Sequence, residues 1–414
     1  MLAVVLAAGE GQRLRPLTFS RPKHMLPVAG KPLLEHIIRF LVSAGLKRII
    51  LVVSYMKEKI QNFFGDGRRF NAKIMYAFQE KPLGTAHALL TAAEYVDSDK
   101  FLLIYGDVLT KNDNIINLLR FYEKSCADAV ISTYYVQDIS KYGLLEIKNG
   151  NVTNIIEKPE NKSSGYINAG IYVFNSAILD TIEKVKLSVR GEYELTDAIR
   201  EMITRGYTVK AYELKDWWID VGYPWDLLRA NELLMRDLQT DIRGIVEEYA
   251  VIKGPVVVGR DAVIRAGAYI EGPVIIGEES DIGPNCYIRP YTYIGRRCRI
   301  GNACEVKNSI IMDGTHIAHL SYVGDSIIGE NVNFGAGTIV ANLRFDDKPV
   351  KVTIKGEKIS SGRRKLGAII GDNVKTGIGC TIMPGVTVGP NSILGPNALI
   401  LHDVPPNTVV KDKW

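Results

Sequence analysis

From Ile252 onward, apolar residues recur at every sixth position: Ile252, Val258, Ile264, Ile270, Ile276, Ile282, Ile288, Ile294, Ile300, Val306 and Met312. A second column runs two residues ahead of the first, through Val256, Ala262, Ala268, Val274, Ser280, Cys286, Thr292, Cys298, Cys304 and Ile310, and is mostly small or β-branched. The period returns as Ile370, Thr376, Ile382, Val388, Leu394 and Ile400, partnered by Val374, Cys380, Val386, Ser392 and Ala398. Side chains alternate along a strand, so two inward positions per six residues describe a short flat strand followed by a corner. Gly259, Gly277, Gly283, Gly295 and Gly301 fall at those corners. Three units close one triangular coil, and coils stack about 4.8 Å apart through parallel ladders. The pattern predicts a parallel β-solenoid. Between Phe345 and Gly367 a charged stretch ending in SSGRRKLG breaks the period and reads as a loop leaving the solenoid.

Residues 1 to about 225 follow another rhythm. AVVLA, RIILVVS and FLLIYGD read as buried parallel strands, and Pro32 to Ala44 and Ala86 to Tyr95 as helices between them. This alternation predicts an α/β, Rossmann-like sheet covered on both faces. Trp225 to Leu238 has helical spacing. The expected organisation is therefore an α/β domain over 1–225, a helical linker over 226–248 and the solenoid over 249–414, and the length of 414 residues suits two domains.

Composition narrows the function class. With 46% apolar and 23% charged residues the chain is globular, which excludes disordered and fibrous classes. The run Met1 to Ala8 lacks a basic leader and is too short to span a bilayer, so a cytoplasmic protein without a membrane anchor is expected. The net charge of +5 comes from basic residues spread along the chain, which suits small anionic substrates and not a nucleic-acid backbone. Five cysteines without a CxxC pair argue against a disulfide framework and against structural zinc. Four of them sit in the inward column as compact fillers.

The first strand runs into AAGEGQRLRPLT, a glycine-rich turn whose amides could cradle phosphate. Gly9 and Gly11 complete neither the dinucleotide fingerprint nor the P-loop spacing. Asp107 follows a buried strand at its carboxyl end, where α/β sheets bind ligands. Alone it would read as a loop-capping aspartate. The block LAAGEGQRLRPLTFSRPKHMLPVAGKP, followed in order by YGD at 105–107, YGLLE from Tyr142, EKP at 157–159 and WWIDVG at 217–222, resembles the signature of sugar-1-phosphate nucleotidylyltransferases. RLRPLT and RPK are closer to glucose-1-phosphate thymidylyltransferases, which leaves UTP and dTTP both open. The resemblance implies in-line attack of a sugar phosphate oxygen on the α-phosphorus of the triphosphate, with pyrophosphate leaving. It assigns Mg²⁺ to Asp107 and Asp220, the β- and γ-phosphates to Arg13 and the α-phosphate to Lys23. Leu6, Ala8, Gly9 and Gly11 match nucleotide-binding positions, and Gln79 and Gly84 match contacts to the base. Thr85, Gly143, Glu157 and Asn168 match sugar-facing positions, and Lys158 would face the sugar phosphate.

The stretch GNACEVKNSIIMDGTHIAHLSYVGDSIIGENVNFGAGTIVAN resembles the acetyltransferase half of the bifunctional glucosamine-1-phosphate acetyltransferase and N-acetylglucosamine-1-phosphate uridylyltransferase family. The solenoid as a whole resembles the left-handed parallel β-helix of hexapeptide-repeat acyltransferases, which implies the hand. By this resemblance His319 is the base for acetyl transfer, a task suited to imidazole. Tyr322 and Asn342 would hold the amino sugar, and Arg289, Lys307 and Lys348 its phosphate and ring. Lys351 is a further phosphate candidate and Asn333 a further substrate residue. Ala336 matches the position whose backbone amide meets the thioester oxygen of acetyl-CoA. Arg363, Arg364 and Lys365 would either meet the coenzyme's phosphates or form a solvated charge run. His316 and His402 read as surface residues, and His24, His36 and His87 as structural or peripheral. Acetyl sites of this type lie between subunits, so a homotrimer is implied. Two rival readings keep the same layout. One makes the solenoid only a scaffold, as in GDP-mannose pyrophosphorylases. The other is a non-catalytic exchange-factor subunit, against which the intact set Arg13, Lys23, Asp107 and Asp220 argues.

Overall fold

The structure is a computed structural model that describes residues 1–159, 163–188 and 191–411. The chain divides into two compact units, Met1–Glu10 with Leu33–Asp220, and Gly11–Pro32 with the chain from Val221 onward.

The first unit is built on a nine-stranded sheet. Four strands, Lys73–Phe78, Arg48–Val53, Leu2–Ala7 and Lys100–Tyr105, run parallel, with Leu6 opposite Val52 on one side and Tyr105 on the other. The long strand Gly165–Asn175 joins antiparallel to Lys100–Tyr105 and passes the sheet on to Ala129–Val136 and the remaining strands. Leu2, Val4, Val52, Phe101 and Leu103 are buried on one face and Ala3, Val5, Leu51 and Leu102 on the other, which is why these segments read as unbroken apolar runs. The expected helices form at Leu33–Ser43 and Thr85–Ala92. A separate two-stranded antiparallel ladder joins Val108–Thr110 to Trp218–Asp220 and sets Asp220 directly opposite Val108.

The second unit contains three parallel sheets of eight, nine and eight strands. Up to the charged insertion each strand pairs with the third one after it, as Val256–Val258 does with Val274–Ile276. The column Val258, Ile264, Ile270, Ile276, Ile282, Ile288, Ile294, Ile300 and Val306 is buried as expected. At its end the expectation fails by one residue. Tyr293 pairs with Ile310 and Ile294 with Ile311, so this coil spans seventeen residues instead of eighteen, and Ile311, not Met312, faces inward. Ser309 then takes the small inward position assigned to Ile310. A second seventeen-residue coil follows, with Ile311 opposite Ile328. The corners, being backbone turns, absorb a missing residue while the ladder stays in register, and a fixed step of six cannot see this. The charged insertion also carries structure of its own, an antiparallel hairpin of Lys351–Ile354 and Glu357–Ser360, with Val352 fully buried.

The helix Pro224–Met235 opens with a capping box in which the backbone amides of Gly222 and Tyr223 donate to the Asp226 carboxylate. Its buried Asn231 accepts from the backbone amide of Ala29 at 2.8 Å and donates to the carbonyl of Tyr291 at 2.8 Å. The segment Gly11–Pro32 is thereby fastened within the second unit.

Candidate active sites

In the first unit the strand Leu2–Ala7 ends with Leu6 and Ala8 buried and Gly9 exposed. The carbonyl of Leu6 accepts from the amide of Gly106 at 2.9 Å, which fixes the YGD turn beside the end of that strand. Asp107 precedes Val108, the partner of Asp220. Asp107, in the turn just before the ladder, is thus one residue from the ladder partner of Asp220, although the two carboxylates lie more than a hundred positions apart in the chain. Two hard carboxylates are donors of the kind that suit a magnesium ion, which takes one or two carboxylates and fills its other positions with phosphate oxygens and water.

The sugar-facing candidates gather around a buried tyrosine pair. The hydroxyl of Tyr172 donates to that of Tyr105 at 3.0 Å. Burial pushes both phenols up, Tyr172 well above its ordinary value, so both remain protonated donors. Thr85 and Asn168 bond to this pair, and the charges of Glu157 and Asp107 act on it. Gly143 must be small, since a Cβ there would meet the Glu157 carboxylate at 3.1 Å and Asn168 at 3.6 Å. Lys158 is held at a φ of 43°, an unusual left-handed conformation for a long side chain, with its amide bonded to the carbonyl of Tyr142. The Trp218 indole donates to the Ala169 carbonyl at 2.8 Å and packs edge-on against Tyr142.

Gln79 is buried, its amide 3.2 Å from the carbonyl of Gly84 and 2.9 Å from Nδ1 of His87. Gly84 has a φ of 111°, and a side chain there would strike the Tyr193 carbonyl at 2.4 Å. Of the two roles expected for His87, structural or peripheral, the ring takes the structural one, against the Gln79 amide. Tyr105 and Trp218 lie inside quoted motifs, but nothing in the sequence marked Tyr172.

Gly11, Arg13 and Lys23 belong to the second unit. Gly11 adopts a φ of 73°, and an added Cβ would sit 2.8 Å from Cβ of Lys23, so the glycine-rich turn and the lysine touch backbone to side chain. Thr18 closes the turn by donating to the Gly11 carbonyl at 2.9 Å. The Arg13 guanidinium lies over the Tyr223 ring at 4.8 Å, and Tyr223 stacks flat on Trp225.

On the solenoid, stacking by rungs decides which candidates meet. Tyr287, Glu305, Tyr322 and Ile339 form one outward column of a single face. Arg289 donates to Glu305 at 2.8 Å, and the next column sets Lys307 opposite Gly324. A Cβ on Gly324 would lie 2.4 Å from the Tyr322 hydroxyl and 2.5 Å from the Asn342 amide. The missing side chain leaves the space in which those two groups bond at 3.1 Å. Beneath them Asp325 is buried and accepts from Asn342 at 2.7 Å, Asn308 at 2.8 Å and Lys307 at 3.2 Å. Burial raises the Tyr322 phenol above its ordinary value, which keeps the hydroxyl protonated.

Asp325 and Gly324 were not among the expected site residues, although both stand in HLSYVGD. His319 is exposed, and its carbonyl accepts from the amide of Gly337, so His319 and Ala336 share a corner on successive coils. Asn333 lies opposite His316 on a different face from Tyr322. Lys348 and Lys351 are exposed on the insertion. Arg363 is bound to Glu232 at 2.9 Å and lies 3.9 Å from Asp325, whereas Arg364 makes an exposed surface pair with Asp347.

Comparison with known proteins finds family matches in both parts of the chain. Residues 2–237 match the nucleotidyl transferase family, 270–378 the GMPPB C-terminal domain and 367–402 the bacterial transferase hexapeptide (six repeats) family. A bifunctional protein GlmU of Methanocaldococcus jannaschii is 49% identical over 99% of this chain and 97% of its own. A bifunctional sugar-1-phosphate nucleotidylyltransferase/acetyltransferase of Sulfurisphaera tokodaii is 44% identical over 98% of both. Among solved structures, a putative glucose-1-phosphate thymidylyltransferase from Bacillus anthracis has 31% identity and a TM-score of 0.53, covering 58% of this chain and 97% of that one. Among the described residues no helix is long and apolar enough to cross a membrane. An α/β nucleotidyltransferase fold followed by a left-handed β-helix of hexapeptide repeats, with relatives aligned along its whole length, places this chain in the family of bifunctional nucleotidylyltransferase/acetyltransferase enzymes.

Proposed function

We propose that the chain acetylates glucosamine 1-phosphate on the solenoid and then joins a sugar 1-phosphate such as the N-acetylated product to UMP or dTMP on the α/β part. The carrying observation is the pairing of Val108 with Asp220, which supports a shared metal site for Asp107 and Asp220. A magnesium ion held by these two carboxylates supplies positive charge where two anions must meet. Arg13 and Lys23 take up the triphosphate, Lys158 the sugar phosphate, and Gln79 and Gly84 the base. Leu6, Ala8, Gly9 and Gly11 line the nucleotide, and Thr85, Gly143, Glu157 and Asn168 orient the sugar. A sugar phosphate oxygen forms a bond to the α-phosphorus as the bond to pyrophosphate breaks. A phosphate monoester loses its second proton near pH 6, so this nucleophile needs no general base at neutral pH.

On the solenoid, Tyr322 and Asn342 orient the amino sugar, with Arg289, Lys307, Lys348 and Lys351 toward its phosphate and Asn333 as a further contact. His319 accepts the amine proton as nitrogen attacks the acetyl carbon, the amide of Ala336 faces the developing oxyanion, and the coenzyme thiolate leaves. We further propose a homotrimer, which hexapeptide membership favours, and a cytoplasmic location. The domain boundaries 1–225, 226–248 and 249–414 are proposed as the functional division.

The match of residues 270–378 to the GMPPB C-terminal domain favours a second reading, in which the solenoid is only a scaffold. Glucose, glucosamine and N-acetylglucosamine 1-phosphates, each supplied with UTP or dTTP and with or without acetyl-CoA, decide between them. We expect coenzyme release with glucosamine 1-phosphate and its loss in His319→Ala. Absent coenzyme release leaves the scaffold reading, whereas release unchanged in His319→Ala keeps the acetyl transfer and removes His319 from the role of base.

A further inference from the structure

We propose that Arg21 is a positioning residue for nucleotidyl transfer, through which two carboxylates of the β-helix hold the phosphate-binding segment. Arg21 is a buried arginine two positions before Lys23. One arm of its guanidinium binds Glu330 and the other Asp372, and Ser20 adds a hydrogen bond to the same Asp372 oxygen. All four residues lie within the second unit.

The receiving end is stiff. The other oxygen of Asp372 accepts from the backbone amide of Glu330 at 2.8 Å, and the amide of Asn373 donates to the Glu330 carbonyl at 2.8 Å. Asp372 is itself buried. The Asp372 carboxylate and the Glu330 backbone are therefore set by adjacent coils of the ladder.

The delivering end is stiff as well. Pro22 fixes the backbone after Arg21, and Lys23 opens a tight turn closed by the amide of Met25 on the Pro22 carbonyl. Lys23 then abuts Gly11. A shift of Arg21 passes through Pro22 to the lysine and from there to the glycine-rich turn. Misplacement of a binding group by about 1 Å can cost up to about a hundredfold in rate. The Met312 sulfur, just past the first coil that drops one residue, lies 3.6 Å from the same guanidinium.

The inference rests on the assignment of Lys23 to the nucleotide phosphates, and the test separates the two. Full-length Arg21→Lys, Asp372→Asn, the double variant and Lys23→Ala are assayed for both reactions. Arg21→Lys and Asp372→Asn are expected to lower kcat/KM for the nucleotide by about tenfold, with KM for the sugar phosphate and acetyl transfer held within about twofold. The double variant is expected to lose no more than the worse single one, as coupled partners do. Unchanged nucleotide kinetics in both single variants, with Lys23→Ala strongly impaired, overturns the inference and spares the site assignment. Parallel losses in both reactions also overturn it, because the clamp would then only support the fold. An unimpaired Lys23→Ala overturns the site assignment itself, and the inference with it.

Discussion

At the scale of single residues, the acetyl-transfer candidates depend on one missing side chain. Gly324 faces the far ends of Tyr322 and Asn342, both of which can swing away from an added methyl group. Gly324→Ala is therefore expected to leave the melting temperature within a few degrees while acetyl transfer falls by at least about tenfold, since the hydroxyl and amide leave their bonded positions. Steady-state kinetics beside a thermal melt would check this, and full acetyl transfer in the variant would refute it. The thiols give a second expectation. Burial pushes Cys286 and Cys298 up to about 12 and raises Cys304 and Cys380, whereas Cys126 is exposed. A thiol whose native value is raised stays protonated until the pH approaches that value, and only the thiolate reacts. Intact-mass analysis after iodoacetamide at pH 8 should show one adduct on the native chain and five after unfolding.

At the scale of elements, most of the architecture was legible because its physics is local. The hexad gave the solenoid since each coil repeats the same inward pair, and the three buried strands of the α/β part are continuous apolar runs. The two coils that are one residue short were not legible, because the corner that loses a residue leaves no apolar signal. Asp325 and Tyr172 were missed for a related reason: their role comes from partners that only the fold brings near, Asn308 and Lys307 for one and Tyr105 for the other. The slip at Ile311 can be measured. Ile311 is fully buried, whereas Ile252, at the open end of the column, is only partly so. Ile311→Ala should cost about 2–5 kcal/mol in denaturant unfolding and Ile252→Ala clearly less, because a cavity forms only where the surroundings cannot collapse. Equal costs would mean that Ile311 does not take the inward position opposite Ile294.

For the whole molecule, the question is why one chain carries two chemistries, and the residues assigned to each allow the two to be cut apart. Asp220 stands on the short ladder beside Asp107 in the first unit, and His319 is an exposed corner residue of the solenoid in the second. Neither substitution removes a buried apolar group, so both variants should fold. Asp220→Asn should lower nucleotidyl transfer by about a hundredfold or more through loss of a metal-facing charge and leave acetyl transfer intact. His319→Ala should do the reverse, by about 10²–10⁴-fold, the usual worth of a positioned general base. Because the acetylated sugar phosphate is small and anionic, it can leave one molecule and enter another through solution. Mixing the two inactive variants with glucosamine 1-phosphate, acetyl-CoA and a nucleoside triphosphate should then restore nucleotide-sugar formation after a lag that shortens as the proportion of Asp220→Asn rises. Failure of the mixture, with each remaining single activity intact, would show that the intermediate must pass within one assembly, and the two activities would then be joined by more than a shared chain.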